Sequence, residues 1–73
     1  MSILVLYFIS LILLQLNKPL EAEEILQEAL LLNPELFDTR LRYGNLLYNT
    51  GRPEEAVFHF KKVGYMRDLN IYY

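Results

Sequence analysis

Two short stretches decide the fold: Asn17-Lys18-Pro19-Leu20-Glu21-Ala22 and, 34 positions later, Gly51-Arg52-Pro53-Glu54-Glu55-Ala56. In the second, Gly51 follows Asn49-Thr50 and is suited to the left-handed conformation that ends a helix. Pro53 then suits the first turn of the next helix, where a missing N–H does no harm. Glu54 and Glu55 sit where the helix dipole favours negative charge. The first stretch repeats the pattern, with Pro19 opening a helix, acids following it, and Ala22 standing in the place of Ala56.

Outward from these turns, the chain reads as four helices. Leu20, Ala22, Ile25, Leu26, Ala29 and Leu30 lie at helical spacing after Pro19, with Glu21, Glu23, Glu24 and Glu28 on the other face. Asn33-Pro34 ends that helix, because proline disfavours the helical conformation in the residue before it. A third helix is expected from about Glu35 to Asn49, its apolar residues being Leu36, Phe37, Leu41, Leu46, Leu47 and Tyr48. A fourth begins at Pro53 with a stripe of Ala56, Val57, Phe60 and Val63, and is expected to loosen at Gly64 and at Asp68-Leu69-Asn70. No strand-like alternation occurs.

The segment before the first turn is different. From Met1 to Leu16 the only polar residues are Ser2, Ser10 and Gln15, and the first charge is Lys18. Its length and leucine content favour a helix, apolar on every face. It is shorter than the roughly 20 apolar residues of a membrane span. It has no basic lead-in and no small-residue cleavage site of a secretory signal. Three readings stay open: a helix covered on both sides, by this chain and by something else; an anchor segment; and the edge of a fragment of a longer protein.

Composition narrows the function. A 73-residue chain holds one small domain, taken as residues 1–73. With no cysteine there is no disulfide framework or thiolate metal site, and a single histidine argues against a metal or haem centre, so no cofactor is expected. A net charge of -2 gives no electrostatic case for nucleic acid. Ser2, Ser10 and Thr50 have no His/Asp company, and His59 has no nucleophile or acid placed with it, so no enzyme is expected. His59 is read as a surface or edge residue and the four glutamates of the second helix as a solvated face. Arg40, Arg42, Lys61 and Lys62 make a weak basic patch or offset the acidic first half. Residues 1–36 hold five acids and one base, and residues 37–73 hold four acids and six bases, which favours head-to-tail contact between copies.

The 34-residue period extends beyond the turns. It places Ser10 on Gly44, Leu13 on Leu47, Leu26 on Phe60 and Ala29 on Val63. A fixed period of this size marks a solenoid. Over residues 3–70 the sequence resembles the tetratricopeptide repeat family. Tyr43-Gly44, Leu47, Gly51, Ala56 and Phe60 take the family's characteristic places in the second repeat. Ile9-Ser10, Leu13, Ala22, Leu26, Ala29 and Pro34 take them in the first. The departures are Arg40 and Leu6, where a bulky aromatic is usual, and Asp68, where a proline closes a repeat. Ser10, Gly44, Ala22 and Ala56 are small where two helices must approach closely.

The resemblance implies an all-α fold: two antiparallel helix-turn-helix hairpins, repeat one about 3–36 and repeat two about 37–70, stacked as a short right-handed superhelix (α-solenoid). It implies a non-catalytic scaffold that binds a peptide or helix of a partner protein, or its own copy, in a concave groove lined by the first helix of each hairpin. On this sequence that wall carries Leu4, Tyr7, Leu11 and Leu14, then Asp38, Leu41, Asn45, Tyr48 and Asn49. Asn45 and Asn49 are one turn apart and face the same way; they suit either the backbone of an extended ligand or an ordinary solvated face. Tyr7 and Leu11 stand where carboxylate-clamping members carry Lys and Asn, so no clamp is expected and the groove reads as apolar. Two repeats with an all-apolar first helix form an unfinished array, which points to self-association or to a place in a longer array. The chain is expected in the cytoplasm, with membrane contact through residues 1–16 as the alternative. Tyr65, Tyr72 and Tyr73 either close the last hairpin or begin a third repeat.

Overall fold

The computed structural model describes the backbone of residues 2–71 and the side chains of residues 2–64. Four helices follow one another: α1 (Ile3–Gln15), α2 (Pro19–Leu32), α3 (Phe37–Asn49) and α4 (Pro53–Ile71). Helices α1 and α2 pack as one hairpin, α3 and α4 as a second, and α2 lies against α3 between them. Tyr65, Tyr72 and Tyr73 lie outside the described side chains.

The two turns are built alike. Asn17 and Gly51 both take positive φ, 60° and 83°. In the first, Lys18 N–H donates to Leu13 O (2.9 Å) and Asn17 N–H to Leu14 O (3.1 Å). In the second, Arg52 N–H donates to Leu47 O (2.9 Å) and Gly51 N–H to Tyr48 O (3.2 Å). This pair of bonds is the Schellman motif, which satisfies carbonyls that the helix end would otherwise orphan. Pro19 and Pro53 then begin α2 and α4. Two equivalent local sequences thus set the same reversal twice.

Close approach within each hairpin needs small residues. A Cβ on Gly44 would stand 2.7 Å from Phe60 Cε1, so glycine is what lets α4 lay its phenyl ring on α3. The matching pair in hairpin one is Ser10 and Leu26, both fully buried. Ser10 is not left polar and unpaired there, because its Oγ donates to Tyr7 O at 2.6 Å. Ala22 and Ala56 are fully buried as well. The core runs through both hairpins: Ala22, Leu26, Tyr43, Leu46, Leu47 and Ala56, with Leu13, Leu14, Leu30 and Phe60 packed on it. Burying one such leucine stabilises by about 1.5–3 kcal/mol.

Polar groups fasten the seam between the hairpins. Gln27 Nε2 donates to Tyr43 Oη at 2.8 Å, and Tyr43 Oη donates to Glu23 Oε2 at 3.3 Å. Arg52 Nη1 reaches both oxygens of Glu23, at 2.8 and 2.7 Å. Burial pushes the Tyr43 phenol up, with Glu23 adding to the rise, so it stays protonated and able to donate.

Several expectations change. Glu23 is not part of a solvated face: its side chain is 13% exposed and clasps Arg52. Helix α3 starts at Phe37, two residues later than read, because Asn33 Oδ1 accepts from Glu35 N–H at 3.0 Å and holds Pro34-Glu35 in a turn. Gly64 does not loosen α4, which continues to Ile71. Val57 is exposed rather than on the buried stripe.

Candidate protein-binding surface

The first helices of the two hairpins, α1 and α3, present the residues expected at a binding wall. Tyr7, Asp38, Leu41 and Asn45 meet around a cleft of about 120 Å³. Leu14, Asn45 and Asn49 line a neighbouring cleft of about 270 Å³ that ends at Asn17 and Thr50. A third, of about 160 Å³, lies at the other end between Ile3, Leu4 and Tyr7 of α1 and Leu36, Asp38 and Thr39. The three form a broken trough along the α1–α3 side. Leu11, half-buried, and Tyr48, exposed, line none of the three.

Sequence reasoning gave Arg42 to a weak basic patch or to offsetting the acidic first half, and missed its place here. Its guanidinium lies between the two clefts that share Asn45. Nη2 donates to Tyr7 Oη at 3.3 Å, and the charge stands 5.9 Å from the centre of the Tyr7 ring, within reach of a cation–π attraction. Asp38, Arg42, Asn45 and Asn49 fall at i, i+4, i+7 and i+11, one stripe of a helix; that spacing was the signal available in the sequence. The middle of the trough is therefore polar, with a cation, a carboxylate and two amides. The end near Ile3, Leu4 and Leu36 is mainly apolar, so the reading of the groove as apolar holds there and not in its middle.

The other side of the molecule explains Arg40. It is 6% exposed, in place of the family's bulky aromatic, and so adds nothing to a surface basic patch. Nη2 donates to Pro34 O at 3.0 Å, and Nη1 meets His59 Nδ1 at 3.0 Å, while Nε is buried without a partner among the described residues. An arginine only donates, so His59 Nδ1 accepts and the ring proton sits on Nε2. His59 is thus a half-buried partner of Arg40, not an edge residue. Its ring also meets that of Tyr43 edge-on at 4.8 Å. Burial holds the His59 pKa below its ordinary value, and the positive charges of Arg40 and Lys62 lower it further against a smaller opposite pull from Glu55.

Helix α1 carries an exposed apolar face. Leu4, Val5, Phe8, Ile12 and Leu16 are all exposed. At 13 residues, α1 is about 20 Å long, against a hydrocarbon core of about 30 Å. Among the described residues no helix is long and apolar enough to cross a membrane.

No curated protein and no solved structure matches the chain. The family model of the tetratricopeptide repeat matches residues 13–68, from the last turn of α1 to within α4. Repeats of this kind generally mediate protein–protein interaction. With that match over most of its length, and with the duplicated turns, small-residue approaches and stacked hairpins described above, the chain belongs to the tetratricopeptide repeat family.

Proposed function

We propose that this chain is a non-catalytic binding module that takes a peptide or helix of a partner protein along the α1–α3 trough. The observation that carries the reading is the stripe of Asp38, Arg42, Asn45 and Asn49 beside Tyr7, which surrounds two adjoining clefts. Amides and a guanidinium at this spacing suit the carbonyls and carboxylates of an extended segment. The apolar end at Ile3, Leu4 and Leu36 suits one anchoring side chain. Selection of displayed peptides against the folded chain gives the probe. Arg42→Ala is expected to weaken the selected peptide at least tenfold while leaving the helical signal unchanged. Binding that survives Arg42→Ala and Asn45→Ala together refutes the trough as the site.

The exposed stripe on α1 supports a second reading, in which residues 1–16 hold the chain at a membrane. The polar face of an interfacial helix is rich in Lys and Arg, and α1 has neither. Co-sedimentation with anionic vesicles separates the two readings: bound protein favours the membrane, unbound protein the module alone.

A further inference from the structure

We propose that copies of this chain stack head to tail, the α1 face of one seated on the α3–α4 face of the next, in the register that already joins the two hairpins. The proposal goes beyond peptide binding in the trough: it joins the α1 face to the α3–α4 face, and of its residues Leu41 also lines a trough cleft.

The chain contains its own template for the joint. On α3, Thr39, Tyr43 and Leu46 are buried, at 2%, 5% and 4% exposure. Their equivalents 34 residues earlier are Val5, Ile9 and Ile12. All three are aliphatic, yet Val5 is 45% and Ile12 58% exposed, and Ile9 is only half-buried. The same positions are covered on hairpin two, which lies against hairpin one, and are exposed or half-buried on hairpin one. The opposite end is complementary. Tyr7 and Glu23 reach from hairpin one to hairpin two, and their equivalents, Leu41 and Val57, are exposed on hairpin two.

Carried across a joint between copies, the Gln27–Tyr43 bond becomes Lys61 beside Ile9, and the other internal contacts become more apolar. The Tyr7–Arg42 contact becomes Leu41 against Phe8, and the Glu23–Tyr43 contact becomes Val57 against Ile9. Two polar pairs inside the chain thus map onto two apolar pairs between chains. The Glu23–Arg52 ion pair maps onto Val57 and Lys18, whose aliphatic stem can lie along valine while its charge reaches water. The acidic first half of one copy would meet the basic second half of the next, which steers this orientation. Pairing two α1 helices face to face would cover only the α1 stripe, whereas head-to-tail contact covers both ends with one interface. Such a contact is heterologous and open, so it builds chains of copies.

The test uses two blocked variants. Phe8→Glu spoils the α1 face and Leu41→Glu the opposite face; both side chains are exposed, so the helical signal is expected to stay. By light scattering at micromolar concentration the unmodified chain should exceed 8.7 kDa, increasingly so with concentration. Each variant alone should weigh 8.7 kDa. Their equal mixture should double in mass and stop there, since each brings the intact face the other lacks. The chain has no cysteine, so Phe8→Cys mixed with Leu41→Cys should give a disulfide dimer that neither gives alone; this decides the matter if the glutamates disturb folding. A monomeric unmodified chain overturns the proposal. So does a Leu41→Glu variant that assembles normally, or Phe8→Cys that cross-links to itself, the mark of α1–α1 pairing. Peptide binding by monomeric Phe8→Glu is read separately, because Phe8 lines none of the trough clefts, so failure of the stacking leaves the trough reading standing.

Discussion

Replacing Gly44 by alanine tests the closest approach in the fold. The new methyl would stand 2.7 Å from Phe60 Cε1 and 3.0 Å from Cδ1, so the half-buried ring must shift. Overpacking of this kind costs about 1–3 kcal/mol. Alanine also gains about 0.8–1.0 kcal/mol over glycine inside a helix. The net expectation is a loss of about 1 kcal/mol, or about 4–8 °C in Tm for a domain of this size. Phe60→Leu removes the ring atoms that the methyl meets. In that background the same Gly44→Ala change should become stabilising by about 1 kcal/mol, because only the helix gain is left. Thermal and urea unfolding followed by circular dichroism, in the Phe8→Glu background to keep association from adding to stability, measures both steps of this double-mutant cycle. A Gly44→Ala variant more stable than the parent, or a change of equal size with and without the Phe60 ring, would refute the packing argument.

Further expectations concern the turns and the single histidine. Gly51, at φ 83°, is in the left-handed region, so Gly51→Ala should destabilise by about 1–2 kcal/mol, whereas Asn17→Gly, at the equivalent turn, should be neutral or slightly stabilising in the same unfolding assay. His59 has a folded pKa below its ordinary 6.5. Above pH 6.5 both folded and unfolded chains hold it neutral and its contribution is complete. As pH falls from 6.5 toward the lower folded pKa, the unfolded chain takes the proton first, and stability is lost through that window. The groups facing it are Arg40, Glu55 and Lys62. His59→Phe should remove this part of the pH dependence of Tm, and Arg40→Leu should move the imidazole titration, followed by NMR, back toward 6.5.

Much of the fold was readable because the turns carry their own chemistry. Asn17, Gly51, Pro19 and Pro53 say where helices stop and start without reference to anything distant, and the 34-residue spacing ties them together. Ser10, Gly44, Ala22 and Ala56 could be read as close approaches because small side chains have few other reasons to recur at one period. What the pattern could not give were contacts between charged residues on different helices. Glu23 has the composition of a solvated face, and only the position of Arg52 after the second turn turns it inward. Arg40 sits at a core position that sequence pattern assigns to apolar residues, and it is accommodated by Pro34 O and His59 Nδ1, 6 and 19 residues away. Arg42 was hidden for the opposite reason: a charge on an exposed face looks unremarkable until the Tyr7 ring and hydroxyl are placed beside it. The run at residues 1–16 was readable as a helix apolar on every face, and the structure adds which of its residues are exposed: Leu4, Val5, Phe8, Ile12 and Leu16.

The proposed binding of a partner along the α1–α3 trough can be read residue by residue. The most direct measurement is amide chemical-shift mapping on the isotopically labelled chain titrated with a selected peptide. With a peptide in the trough, the largest changes should gather at Tyr7, Asp38, Leu41, Arg42, Asn45 and Asn49. Changes concentrated instead around Gln27, Leu30, Arg40 and His59, which line a separate cleft of about 460 Å³, would contradict it.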